Sequence, residues 1–168
     1  MPILMPSHEN FSLDEYNKYL GTTHLGKFWK KTSGVGTATI VNQGFQFSGV
    51  QTWELDTFIE TVSGWNGIYA NFIHQQTSGS ATVTVGIDCY NASKALLGTR
   101  ACFFSGAAPA AATSVYNFAM NQGAAVTNFV TGTVYAKVKI AITANTGVYT
   151  VTMPLFNTMP YSSKALYV

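Results

Sequence analysis

Two stretches of strict alternation constrain this chain more than anything else in it. Val83, Val85, Ile87 and Cys89 share one side of an extended backbone, while Thr82, Thr84, Asp88 and Tyr90 share the other. Later, Val134, Ala136, Val138, Ile140 and Ile142 point one way, with Tyr135, Lys137 and Lys139 opposite. A period of two puts the apolar side chains on one face of a strand, leaving the other face for solvent. Half-buried strands of this kind belong to antiparallel sheets that hide their apolar faces against one another.

The same signal recurs at short intervals, punctuated by Gly, Asn and Ser. Strands are predicted over Lys27–Lys30, Thr37–Asn42, Gly44–Phe47, Thr52–Thr61, Tyr69–Gln75, Ala81–Asn91, Arg100–Phe104, Ser114–Met120, Thr133–Ala144 and Val148–Leu155. Ala-Asn-Thr-Gly at 144–147 turns the chain into Val148–Met153 and predicts a hairpin. In SGAAPAAAT, residues 105–113, alanine propensity allows a helical turn, but Gly106 and Pro109 favour a surface loop. Helical patterns do not recur between the strands, which argues against an α/β fold. The expected class is all-β, an antiparallel sandwich or barrel.

One helix is predicted, over 12–20. Ser12 followed by Glu15 forms a capping box, and Gly21 supplies a stop. Leu13, Tyr16 and Leu20 share a face long enough to dock on a body but too short for a coiled coil. The chain therefore divides into a lead-in over 1–22 and one β domain over 23–168.

Only 10% of the 168 residues are charged, while 47% are hydrophobic, so one well-buried core is expected and disorder is not. A net charge of +2 is too mild for a dedicated nucleic-acid binder. No uninterrupted apolar run reaches the ~18 residues of a spanning helix, so no membrane insertion is expected. MPILMPSHEN lacks the features of a signal peptide. Glu9, Asp14, Glu15, Glu54, Asp56 and Glu60 precede residue 61, and Asp88 is the one carboxylate side chain after it. Cys89 and Cys102 lack a CxxC spacing and read as small buried hydrophobes.

Catalytic and metal constellations are thin. Glu54, Asp56 and Glu60 alternate along one predicted strand, about 6–7 Å apart at successive positions. That spacing suits a glycosidase pair, but such pairs face each other across a cleft, so a solvated strand face is the reading adopted. His8, His24 and His74 show no HxH or HxxxH pattern, and there is no nucleophile elbow, P-loop or GxGxxG. No catalytic residue, metal or cofactor is expected.

Three stretches carry a family resemblance: VTVGIDCYNASKALLG at 83–98, VYAKVKIAIT at 134–143 and GVYTVTMPLFNTMPY at 147–161. Their order is similar to a jelly-roll sandwich of the carbohydrate-binding-module type, as found in bacteriophage tail fibre and tailspike proteins. The resemblance covers roughly residues 24 to 161 and implies a jelly roll that engages glycan. Members commonly carry a Glu soon after the last strand, where this chain has Phe156-Asn157-Thr158. Glu54 and Asp56 are then too few carboxylates for an oxygen-rich calcium site.

The aromatic residues supply the candidate contacts. Sugars present apolar C–H faces ringed by hydroxyls, which a flat ring with amide neighbours matches. The first set is Trp65, Asn66, Tyr69 and Asn71; the second pairs Asp88 with Tyr90 and Tyr135 with Lys137. Trp65 and Tyr69 fit equally as sandwich core or subunit interface. Lys137 and Lys139 suit either an anionic polysaccharide or a solubilised edge.

Three functions follow as expectations. One is a non-catalytic C-terminal domain of a phage tail fibre or tailspike, located in the virion, that forms a homotrimer and binds host surface glycan. The alternative is a monomeric, secreted carbohydrate-binding module of a polysaccharide-degrading enzyme. A glycan-cleaving enzyme fits the acid count least.

Overall fold

The computed structural model describes residues 29–41, 44–55, 58–60, 66–120 and 129–160. The expected lead-in and helix over 12–20 lie outside the described residues, as does Trp65. The described strands are β1 (Trp29–Gly34), β2 (Thr37–Val41), β3 (Gly44–Ser48), β4 (Gln51–Leu55), β5 (Ile59–Glu60) and β6 (Asn66–Ser78). They continue with β7 (Ala81–Tyr90), β8 (Leu96–Ala107), β9 (Thr113–Met120), β10 (Tyr135–Asn145) and β11 (Val148–Pro160). Most expected strands recur with shifted ends. The single strand expected over Thr52–Thr61 is instead β4 and the short β5.

The strands form two antiparallel sheets. Sheet A runs β1-β4-β10-β7-β8, with β5 also paired to β10, and sheet B runs β2-β3-β11-β6-β9. Counting from β3 and omitting β5, the facing orders are first–eighth–third–sixth and second–seventh–fourth–fifth. That is the order of two interlocked Greek keys, a jelly roll.

Alternation explains the stacking. Val83, Val85, Ile87 and Cys89 of β7 and Ala136, Val138, Ile140 and Ile142 of β10 are buried on one side of sheet A. Phe45, Phe47, Ile68, Phe72, Tyr149 and Val151 meet them from sheet B. Rings interleave across the gap: Trp29 lies 6.0 Å from Phe45, Phe47 6.4 Å from Trp53, and His74 4.4 Å from Phe104. Burying each large aliphatic side chain contributes about 1.5–3 kcal/mol, so this layer dominates the stability of the sandwich. Cys89 and Cys102 are buried and free, and burial pushes the Cys102 thiol up to about 12. As a neutral thiol it packs rather than reacts.

The predicted hairpin at 144–147 is corrected by the structure. The turn is present, but β10 belongs to sheet A and β11 to sheet B, so the two strands do not pair. Both strands carry apolar residues that must face the same core, and a turn linking opposite layers satisfies both. Asn145 sets it: its side-chain oxygen accepts from the Gly147 amide at 3.0 Å, and its Nδ2 donates to the Phe47 carbonyl at 3.1 Å. Gly147 is required there, since a Cβ would stand 2.0 Å from the Ser78 carbonyl oxygen.

Gln51 ties the layers from within. Its Nε2 donates to the Thr37 and Ser48 carbonyls at 2.8 and 3.1 Å, and its Oε1 accepts from Trp53 Nε1 at 2.9 Å. His74 is another polar group in the core, 1% exposed, with Nδ1 3.0 Å from the Tyr149 hydroxyl. The rings of Phe72, Phe104 and Tyr149 surround it, and Nε2 meets no hydrogen-bond partner among the described residues. Burial holds its pKa below the usual histidine range.

A lowered folded pKa contributes stability above about pH 6.5 that is lost as the pH falls through the folded value. Wild-type thermal midpoints should therefore decline on acidification from pH 7 to pH 5. The double variant His74→Leu/Tyr149→Phe should show a shallower decline over that window. Equal slopes for the two proteins, measured by circular dichroism, would refute the role given to His74.

Candidate functional site

The sequence-predicted residues divide between the two sheets. Asn66, Tyr69 and Asn71 lie on β6 in sheet B, where Asn71 is exposed and pairs with Tyr116 and Leu155. Asp88 and Tyr90 lie on β7, Tyr135 and Lys137 on β10, all in sheet A. Register sets Tyr135 opposite Tyr90 and Lys137 opposite Asp88. The structure thus joins the second expected set and leaves the described members of the first on the other sheet.

The outer face of sheet A adds residues that sequence reasoning did not place in the site. Phe58 packs edge-on against Tyr90 at 5.1 Å and Tyr135 at 5.9 Å between ring centroids. Lys137 Nζ stands 4.5 Å from the Phe58 centroid. Lys94 Nζ stands 5.0 Å from Phe58 and 5.6 Å from Tyr135. An ammonium within about 6 Å of a ring centroid is attracted by its electron-rich face.

Lys94 is positioned by its turn. Asn91 Oδ1 accepts from Ser93 N, Ser93 Oγ and Ala95 N at 3.0, 2.7 and 2.9 Å. Lys94 sits inside this turn at φ +62°, a left-handed conformation that non-glycine residues rarely adopt.

Beside the rings lies a charged network. Asp88, 2% exposed, accepts from Lys139 Nζ at 2.8 Å and from the Thr99 hydroxyl. Glu54 reaches the same carboxylate from β4, whose register sets it opposite Lys139. Burial raises the Glu54 pKa, and the hydrogen bond to Asp88 and its charge raise it further. Burial also pushes Asp88 upward, but hydrogen bonds from Glu54, Lys139 and Thr99 outweigh it and hold the carboxyl below its ordinary range. The two carboxyls therefore titrate as a coupled pair, with Glu54 shifted up and Asp88 shifted down. Tyr90 is pushed up to about 12, by burial first and then by the Glu54 and Asp88 charges, and keeps its hydroxyl proton. Gly86 interrupts β7 at a register shift because a Cβ would stand 1.9 Å from the Arg100 carbonyl oxygen.

The expected alternation of Glu54 with Asp56 and Glu60 does not produce a row on one strand. Glu54 is on β4, Glu60 on β5, and Asp56 lies outside the described residues. Among the described residues no group of three or more His, Cys, Asp or Glu side chains could hold a metal ion. The face offers ring surfaces, a hydroxyl donor, carboxylates and ammonium groups, chemistry able to make apolar contacts and hydrogen bonds with a polar ligand.

No protein-family model matches the chain, and no curated protein matches it. Solved structures are similar in fold. The CBM22-1 xylan-binding domain from Paenibacillus barcinonensis Xyn10C aligns at TM-score 0.53 and 8% identity, over 80% of this chain and 87% of that one. The CBM22-1–GH10 modules of Clostridium thermocellum xylanase 10B align at 0.54 and 9%, over 80% and 26%. The enzymatically active domain of bacteriophage CBA120 tailspike protein 4 aligns at 0.51 and 11% identity, covering 79% of this chain. The chain spans 19% of that tailspike structure. The fold is that of the carbohydrate-binding-module jelly rolls.

Glu54→Gln tests the carboxylate pair. The amide keeps a donor toward Asp88 but cannot ionise. A raised folded pKa means that wild-type stability from Glu54 is present at low pH and lost as pH rises through that value. The variant should gain stability relative to wild type between pH 5 and pH 8, by urea denaturation at each pH. A pH-independent difference would show that Glu54 and Asp88 do not titrate as a coupled pair.

Proposed function

We propose that this domain binds a polysaccharide chain on the outer face of sheet A and performs no chemistry on it. The observation that carries the reading is the adjacency of the Tyr90, Tyr135 and Phe58 rings to the Asp88–Lys139–Thr99–Glu54 network. Rings supply contact area for C–H faces, and the fixed polar groups supply direction. Binding without catalysis is supported by the placement of the carboxylates. Asp88 bonds to both Glu54 and Lys139, whereas glycosidase carboxylates stand about 5–10 Å apart with the scissile bond between them. The likeness to a xylan-binding domain across most of both chains supports the same reading.

Two settings fit such a module. One is the monomeric, secreted carbohydrate-binding module of a polysaccharide-degrading enzyme. The other is the C-terminal domain of a tail fibre or tailspike in a virion, assembled as a homotrimer on host glycan. A specific observation favours an assembly: β2, β3, β6, β9 and β11 contain no Asp, Glu, Lys or Arg. Charge is depleted at interface cores, and a sheet without it can meet a copy of itself without like-charge repulsion. Light scattering at micromolar concentration separates the settings, a trimer supporting the second and a monomer the first.

Tyr135→Ala and Tyr90→Ala test the binding face. Each should lower affinity for a bound polysaccharide about two- to tenfold in affinity electrophoresis, because a ring contact of this kind contributes roughly 0.5–1.5 kcal/mol. Circular dichroism should confirm that both variants stay folded. Undiminished binding by both folded variants would remove this face from the site.

A further inference from the structure

The Phe58 cluster holds two like charges close together. Lys94 and Lys137 each place an ammonium group within 5.0 Å of one ring centroid, so the two nitrogens are less than twice that distance apart. Asp88 and Glu54, two carboxylates of this face, are already engaged. Asp88 is buried beneath Lys139 and Thr99, and Glu54 bonds to Asp88. On neighbouring strands, Lys30 lies opposite Glu54 and Glu60 lies opposite Tyr135 in register. Lys94 is exposed and forms no ion pair with a described carboxylate. Its backbone is fixed in the left-handed region by the Asn91 turn, which aims its side chain over the rings. A cation carried by a constrained turn, beside rings and above satisfied carboxylates, suits an incoming anion.

We propose that Lys94 forms an anionic subsite, so that the ligand of this face is an acidic polysaccharide. Its sugar rings lie against Tyr90 and Tyr135, and its carboxylate or sulfate group meets the Lys94 ammonium beside Lys137. The inference rests on the glycan-binding reading above and narrows it to one class of polymer. Binding of this kind weakens with salt, because exposed charges are screened within about 8–10 Å at physiological ionic strength.

The test compares polygalacturonate, dextran sulfate, neutral xylan and neutral dextran in affinity electrophoresis and calorimetry at low and moderate salt. At least one acidic polymer should bind tenfold or more tightly than both neutral ones, and the preference should shrink as salt rises. Preference for polygalacturonate over dextran sulfate assigns the anion as carboxylate; the reverse assigns sulfate. Lys94→Met keeps most of the apolar stem and should abolish the preference while leaving the thermal midpoint unchanged. Lys94→Arg should retain it. Lys31→Met removes the same charge from β1 and should leave the preference intact. Equal loss from Lys31→Met and Lys94→Met indicates a diffuse effect of net charge and overturns the subsite. Neutral polymers bound as tightly as acidic ones also overturn it while sustaining glycan binding. Failure to bind any of the four overturns both.

Discussion

The pairing of β7 with β10 at the centre of sheet A is the contact on which the rest of the molecule depends. From Tyr135 opposite Tyr90 to Asn145 opposite Ala81, it holds two alternating strands in register. One side of that ladder is the Val83–Val85–Ile87 and Val138–Ile140–Ile142 layer of the core. The other side carries Asp88, Tyr90, Tyr135, Lys137 and Lys139. A slip of one residue would send the aliphatic row to solvent and the charged row into the core. Each misplaced aliphatic side chain would forfeit about 1.5–3 kcal/mol, far more than the 0–1 kcal/mol of an exposed ion pair. Core packing therefore fixes the register, and the register assembles the outer face on which binding is proposed.

The jelly-roll order then separates charge by layer. Consecutive strands often cross between sheets, so a chain poor in charge overall could still have mixed it evenly. It does not: the strands of sheet B contain no Asp, Glu, Lys or Arg, while Lys30, Lys31, Glu54, Asp88, Arg100, Lys137 and Lys139 lie on sheet A. The two outer faces consequently differ in chemistry. One offers fixed charges and rings; the other offers Thr, Ser, Gln and Asn with an exposed Tyr116. The concentration of acids before residue 61 looked like an asymmetry of sequence position. In three dimensions the more telling asymmetry is one of layers.

The sequence made some of this legible and not the rest, for physical reasons. Alternation over 83–89 and 134–142 identified the core rows and their outward partners, because period two follows from backbone geometry alone. The turn at 144–147 was equally visible, but its sheet assignment was not. Turn chemistry is local, whereas the choice between pairing back and crossing over depends on which partners the distant strands β3, β4, β6 and β7 offer. The same limit hid the contacts between Glu54 and Asp88 and between Lys139 and Asp88, each joining residues far apart in sequence. Phenylalanine usually belongs to a core, and nothing in the sequence sets Phe58 apart from the other ten. Only the short β5 and the Lys94 turn, which shape its surroundings, reveal a ring packed against tyrosines under two ammonium groups.

Asp88 shows how fold and site constrain each other. Alternation directs it outward, yet it is 2% exposed, so the groups that bury it must lie on top of the sheet. Thr99 from β8, Lys139 from β10 and Glu54 from β4 converge on it and form that upper layer. A buried carboxylate left without partners costs several kcal/mol, so these three strands are held not only by backbone ladders but by a shared side-chain anchor. The anchor has a second consequence. With Lys139 tied to Asp88 and Lys137 packed on Phe58, the side chains of β10 are limited to few arrangements before any ligand arrives. A surface ordered in advance gives up less conformational entropy on binding than one ordered by its ligand. The energetic requirement of one buried acid thus keeps the neighbouring aromatic face rigid.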